Sequence, residues 1–146
     1  MLSALFSFLL SSPKRILTFG PVSILPEFQR RGYGKRLMEH SFERAVSLGY
    51  DVIVILGSPA NYVSRGFKSC KKYTICMENG KYPAAMMVKE LIPHALDGRK
   101  WVYYDSPVMA VSEEKAQQYD AAFEEMPKEY RSSQEEFYIM SHSFLA

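Results

Sequence analysis

The chain has 146 residues, 47% of them apolar and 23% charged, with a formal net charge of +2. That length supports one domain with its own core, and the composition is ordinary for a globular protein, not a disordered or fibrous one. The charge is too small to carry nucleic-acid binding by itself. The two cysteines, Cys70 and Cys76, fit no common zinc spacing and read as reduced thiols of a cytoplasmic protein.

Met1 to Leu10, MLSALFSFLL, is an apolar run with no charge ahead of it. It is too short to span a bilayer. It also lacks a basic leader region and a small-residue cleavage site before Pro13, so neither a signal peptide nor a membrane anchor is expected. It reads as a buried strand or helix segment, or as the result of a start placed inside a longer gene. A swap of this segment into a second chain, covering an open sheet edge, is a weaker expectation.

Residues 15–25, RILTFGPVSIL, are rich in β-branched and apolar types and predict a strand. Gly20-Pro21 interrupts it, and a bulge or splay is expected because proline cannot donate to a ladder. Residues 34–48 have helical periodicity, with Leu37, Met38, Ser41, Phe42, Ala45, Val46 and Leu48 on one stripe and Gly49 placed to end the helix. Residues 51–56, DVIVIL, form a continuous apolar run suited to a strand buried on both faces. Strand, helix and strand make a βαβ unit with parallel strands.

Pro59 can open a short helix over Ala60 to Arg65, stopped by Gly66. Phe67 to Cys76 and Lys81 to Leu91 are expected as a hairpin around Asn79-Gly80. Residues 93–109 read as irregular or edge structure. Residues 112–125 predict a surface helix with Ser112 as N-cap and acids in its first turn. Residues 127–146 carry no assignable pattern.

The segment that bears chemistry is Gln29-Arg30-Arg31-Gly32-Tyr33-Gly34-Lys35, between the first strand and the helix. A helix N-terminus leaves backbone N–H groups unpartnered and is the positive end of the dipole. Glycines let an anion approach the backbone, and Arg30, Arg31, Lys35 and Arg36 add positive charge. The ligand class this predicts is a phosphate or pyrophosphate. The spacing is neither the Rossmann fingerprint nor a P-loop, and a helix start ringed by solvated basic residues is the plain alternative.

Val22-Ser23-Ile24-Leu25-Pro26-Glu27-Phe28-Gln29-Arg30-Arg31-Gly32-Tyr33-Gly34 resembles the central motif of the GNAT acyltransferase superfamily: a strand ending in V-x-P, then Q/R-x-x-G-x-G/A opening a helix. Gly57 to Phe67 resembles the family's short tyrosine-bearing helix followed by Y-x-x-x-G-F. The similarity covers roughly residues 16–110 and is greatest with the YhbS-like branch of predicted N-acetyltransferases. It implies a mixed α/β (α+β) GNAT-like acyl-CoA N-acyltransferase fold lacking its N-terminal strands and helices. Residues 1–15 would be an N-terminal apolar segment, 16–92 the acetyl-CoA-binding core and 93–146 a C-terminal extension.

The resemblance further implies an enzyme that moves an acetyl group from acetyl-CoA to a primary amine, small-molecule or peptide, without a metal, a nucleic acid or a membrane. A homodimer is compatible with it. Backbone N–H groups from Arg30 to Lys35, with Gln29, Arg31, Gly32, Tyr33 and Gly34 between or beside them, would hold the pyrophosphate. Val22, Ser23 and Ile24 would pair with pantetheine as an added strand, and an N–H there would polarise the thioester carbonyl. Tyr62 would protonate the leaving thiolate; Asn61 beside it is a further candidate contact. Many members have an asparagine where this chain has Ile55, and the family's strands before the central one are not found ahead of Arg15. A truncated, catalytically inactive CoA-binding module or pseudo-enzyme, holding CoA weakly or not at all, is therefore the second reading.

Read without the resemblance, Tyr62 is as compatible with a core aromatic. Glu27 is a candidate general base or a solvent-facing loop acid. His40 reads as a surface residue, and His94 and His142 have no partner visible in sequence. Trp101, Tyr103 and Tyr104 would line an acceptor pocket or a dimer surface, or cover the sheet as a hydrophobic edge.

Overall fold

The computed structural model describes residues 2–7, 13–20, 22–125, 127 and 129–146, with residues 2–7 and Val108 given as backbone only. The expected bulge at Gly20-Pro21 includes Pro21, which lies outside the described residues, as do Met1 and residues 8–12 of the N-terminal run.

Leu2–Ser7 forms β1 and Lys14–Leu17 forms β2. The βαβ unit continues with α1 (Tyr33–Ser47) and β3 (Val52–Leu56). Pro59–Tyr62 is the short helix α2, running into a 3-10 turn over Val63–Arg65. Then come β4 (Lys68–Ser69), β5 (Ile75–Cys76), β6 (Tyr82–Pro83), β7 (Met86–Glu90) and β8 (Trp101–Tyr104). Helices α3 (Glu113–Asp120) and α4 (Ser132–Ser141) and strand β9 (Phe144–Leu145) complete the described chain.

Among the described residues the main sheet runs β4-β7-β3-β2-β1-β8-β5, and β6 pairs separately with β9. β2 and β3 are parallel, as the βαβ reading requires, through Leu17 opposite Ile53. Lys14 Nζ and Asp51 Oδ2, 2.7 Å apart, tie the starts of that parallel pair together. β1 is antiparallel to both β2 and β8, so the N-terminal segment pairs within its own chain, as a strand.

β3 separates the two cores by its alternation. Val52 and Val54 face a cluster with Ile16, Met86, Val88 and Trp101. Ile53 and Ile55 face the other side, where α1 packs through Met38 and Ala45 with Phe67 and Met87. The apolar stripe of α1 is narrower than its periodicity predicts: Met38 and Ala45 are buried and Phe42 half-buried, but Leu37, Val46 and Leu48 are exposed. The helix ends as expected. Gly49 is at φ 82°, its N–H donates to Val46 O, and Tyr50 N–H reaches Ala45 O, which is a Schellman closure.

Three expectations need correction. The strand predicted over 15–25 stops at Leu17, because residues 18–20 and 22–25 leave the ladder while β3 continues against antiparallel β7. Val22, Ser23 and Ile24 therefore belong to no strand. The predicted hairpin is broken. Cys70–Tyr73 coil into a 3-10 turn, and Thr74 sits at φ 55°, so β4 pairs with β7 whereas β5 crosses to pair with β8. The Asn79-Gly80 turn itself forms, with Gly80 at φ 76°. Finally, β8 is an internal strand, not edge or irregular structure. It lies between β1 and β5 with Trp101, Val102 and Tyr103 buried.

Candidate functional site

The site is built where β2 and β3 part. Among the described residues only Leu17 and Ile53 are in register; beyond them β3 runs on to Leu56 while residues 18–20 and 22–25 are outside the ladder. Among the described residues nothing hydrogen-bonds to the backbone of Val22 or Ser23. The result is a parting of the two stretches with exposed, unladdered chain at Val22 and Ser23 on one lip. Gln29 stabilises that lip: its Nε2 donates to Ile24 O at 2.9 Å. The signature glutamine thus ties the loop to the residues before it, and its side chain is committed to that contact.

A 3-10 turn at Pro26–Phe28 then delivers the chain to α1. Arg30 (φ 57°) and Gly32 (φ 83°) both take the left-handed conformation, which turns the backbone into α1. The first α1 bond runs from Arg36 N–H to Gly32 O, and no side chain caps the helix. The N–H groups of Tyr33, Gly34 and Lys35 precede that bond and have no intrahelical partner. A Cβ on Gly34 would meet only Ile24 Cγ1, at 3.8 Å, and one on Gly32 would meet nothing within 4 Å. Folding alone therefore does not demand glycine at 34.

The charges agree. Lys35 lies 3.7 Å from Glu39, but among the described residues Arg30, Arg31 and Arg36 have no carboxylate partner. Arg31 stands over the Phe28 ring at 5.8 Å, and Phe28 meets Tyr33 edge-on at 6.2 Å, forming an apolar shelf beside Ile24. Three guanidinium groups without carboxylate partners thus surround an uncapped helix N-terminus, a cradle of the kind that can accept an anion.

Tyr62 lies on the α1 face, half-buried among aromatic rings. It meets Phe67 at 5.6 Å and Phe19 at 6.3 Å, so it adjoins the chain that leaves β2. Among the described residues its hydroxyl has no hydrogen-bond partner. A Cβ at Gly57 would lie 2.8 Å from Tyr62 Cε2. Glycine is thus required there by close approach, a role no sequence pattern announced. Asn61 is exposed, and its N–H closes the α2 turn on Ser58 O at 3.0 Å. Ile55 is buried in the core. Glu27 and His40 are exposed, as is His94, which sits at φ 62°. His142 Nδ1 lies 2.8 Å from Tyr138 O. Trp101 and Tyr103 belong to the core and line no opening at this site.

The sequence pattern of the Acetyltransferase (GNAT) family matches residues 8–69, which span β2, the open lip, the cradle and Tyr62. The fold is GNAT-like. In solved structures, the GNAT family N-acetyltransferase YhbS from Escherichia coli, crystallised with CoA, superposes with a TM-score of 0.58 at 22% identity. The match covers 70% of this chain and 57% of that one, so this chain spans little more than half the length of that GNAT relative. No curated protein gives a detectable match in sequence. Among the described residues no cluster of histidine, cysteine and carboxylate side chains is placed to hold a metal, and no helix is long and apolar enough to cross a membrane.

Proposed function

We propose that this chain is an N-acetyltransferase that moves an acetyl group from acetyl-CoA to a primary amine on a small molecule or peptide. The observation that carries the reading is the pairing of an unladdered stretch of main chain at Val22–Ile24 with an uncapped, arginine-rich helix start at whose glycines an added Cβ would meet nothing within 4 Å (Gly32) or only Ile24 Cγ1 at 3.8 Å (Gly34). An extended thioester arm fits the first, and a pyrophosphate fits the second. The N–H groups of the lip would polarise the thioester carbonyl, and the amine would attack it directly. Tyr62, with its hydroxyl unengaged, would give its proton to the departing thiolate.

Isothermal titration with acetyl-CoA tests this. Wild type should bind in the micromolar range. Gly34→Ala should fold and bind, because its methyl group makes only an ordinary contact. Gly34→Glu should fold and not bind, because it puts bulk and negative charge in the cradle. No binding by folded wild type would end the proposal.

A second reading, a relative that holds CoA weakly or not at all and has lost catalysis, is favoured by the short span of the match, 57% of the YhbS chain, and Ile55 stands in the core where many family members carry asparagine. Thiol release from acetyl-CoA on addition of amines separates the two.

A further inference from the structure

At the tip of β3, on the face opposite α1, lies a cavity of about 350 Å³. Leu56, Met77, Pro83, Ala85, Phe137 and Met140 supply its apolar wall, and Gly57 forms its inner corner. Leu56 continues the alternation of Val52 and Val54, which places the cavity across the sheet from Tyr62. Gly57 joins the two sides. Its N–H donates to Ala85 O at 2.9 Å, and the Tyr62 ring presses against its Cα. The cavity thus reaches the end of β3, beyond its last pair with β2, and touches Tyr62 only through Gly57. Its roof is α4, which the pairing of β9 with β6 holds in place. Ala84 N–H also donates to Ser143 O at 2.9 Å.

The lining includes no acidic or basic side chain; Asn79 and Ser141 supply its polar groups. Such a wall has no carboxylate to pair with an ammonium group or a polyamine. The Lys81 ammonium, 4.8 Å over the ring of Phe144, which also lines the cavity, disfavours a second cation, and desolvation there favours the neutral, nucleophilic form of an amine. We propose that this cavity binds the non-reacting body of the acceptor, and that the acceptor is a primary amine on an apolar, aryl or long alkyl, frame. This rests on the acetyltransferase reading above. The amine, having lost one proton to solvent, attacks the thioester carbon. The C–N bond forms, the C–S bond breaks, the sulfur takes a proton and the nitrogen releases one, giving the amide and free CoA.

The test uses the full chain, with phenethylamine and hexylamine against putrescine and lysine, read as thiol release from acetyl-CoA. Amine binding is read separately from the methyl resonances of Met77 and Met140. Phenethylamine should have the highest kcat/KM and shift both methyl signals. Met140→Lys should raise its KM about tenfold or more, as expected when an apolar contact is replaced by a charge, with the acetyl-CoA Kd unchanged. Phe137→Ala, at an exposed position, should raise KM in the same direction and serves if Met140→Lys does not fold. Preference for putrescine, or a phenethylamine KM unchanged in the folded variants, overturns the proposal. So does acetyl-CoA binding with no methyl shift on adding phenethylamine. Failure to bind acetyl-CoA removes the acetyltransferase reading instead. The methyl shifts then still decide whether the cavity takes an apolar amine.

Discussion

At the scale of single residues, Tyr62 is the group whose surroundings are hardest to explain by folding alone. Its ring packs against Phe19 and Phe67 and needs the bare Cα of Gly57, yet its hydroxyl has no partner among the described residues. A phenol kept for packing alone is replaceable by phenylalanine. Tyr62→Phe should therefore change stability by less than about 0.5 kcal/mol, as substitutions that break no buried contact do. Loss of a general acid typically costs about 10²-fold to 10⁴-fold in rate, and kcat should fall on that scale with the acetyl-CoA Kd intact. Parallel thermal melts and steady-state kinetics check this. An unchanged kcat would return Tyr62 to the core aromatics.

At the scale of elements, α2 and the 3-10 turn after it hold Tyr62 at the opening, and a lysine from another strand secures them. Lys89 Nζ donates to Arg65 O at 2.9 Å and stands over the Phe42 ring at 5.0 Å; its burial lowers its pKa. Gly66 lets the chain turn at φ 85°, and a Cβ there would come within 2.7 Å of Lys89 Nζ. The lysine end can move, so backbone strain dominates, and Gly66→Ala should cost about 1–2 kcal/mol, the usual penalty for a left-handed non-glycine residue. A urea midpoint unchanged by the substitution would contradict this account. The elements legible in the sequence were those with a local cause: the amphipathic α1 closed by Gly49, the doubly buried β3, the Pro59 helix start and the Ser112 cap, whose Oγ accepts from Lys115 N–H at 3.4 Å. The cradle was legible for the same reason, as glycines and cations at one helix start. What escaped depends on long-range pairing. WVYY at 101–104 is short and lies among prolines and glycines, so nothing local marks it as internal; β1 and β5 on its two sides do. Gly57 escaped because its partner, the Tyr62 ring, is specified by tertiary packing. α4 escaped because Phe137, Tyr138 and Ile139 are consecutive and exposed, with no stripe to recognise.

At the scale of the whole molecule, β1 joins two blocks. On one side it pairs with β2, and through it with β3, β7 and β4; on the other it pairs with β8, which alone carries β5. Without β1, β8 would lose four antiparallel register pairs, Ala4 to Ser7 opposite Tyr104 to Trp101, and keep only the two residues of β5 as a ladder partner. Cys70 and Cys76 report on this division, because both are buried and Cys76 lies in β5. Burial raises the Cys70 thiol to about 11 from an ordinary 9. A group raised on folding favours the folded state below its unfolded pKa, so this contribution is present below pH 9 and is lost as pH climbs from about 9 to about 11. At pH 8 its thiolate fraction is on the order of 10⁻³, so both access and ionisation suppress its reaction. The full chain should accordingly react with an aromatic disulfide reagent slowly at both thiols, at the rate of global opening. A chain lacking residues 1–12 should react with Cys76 first, at least tenfold faster than the full chain, since a lost ladder worth more than about 1.4 kcal/mol changes the open population by that factor. Equal rates for the full and shortened chains would show that side-chain packing around Trp101 and Tyr103 holds the β8 block in place without β1.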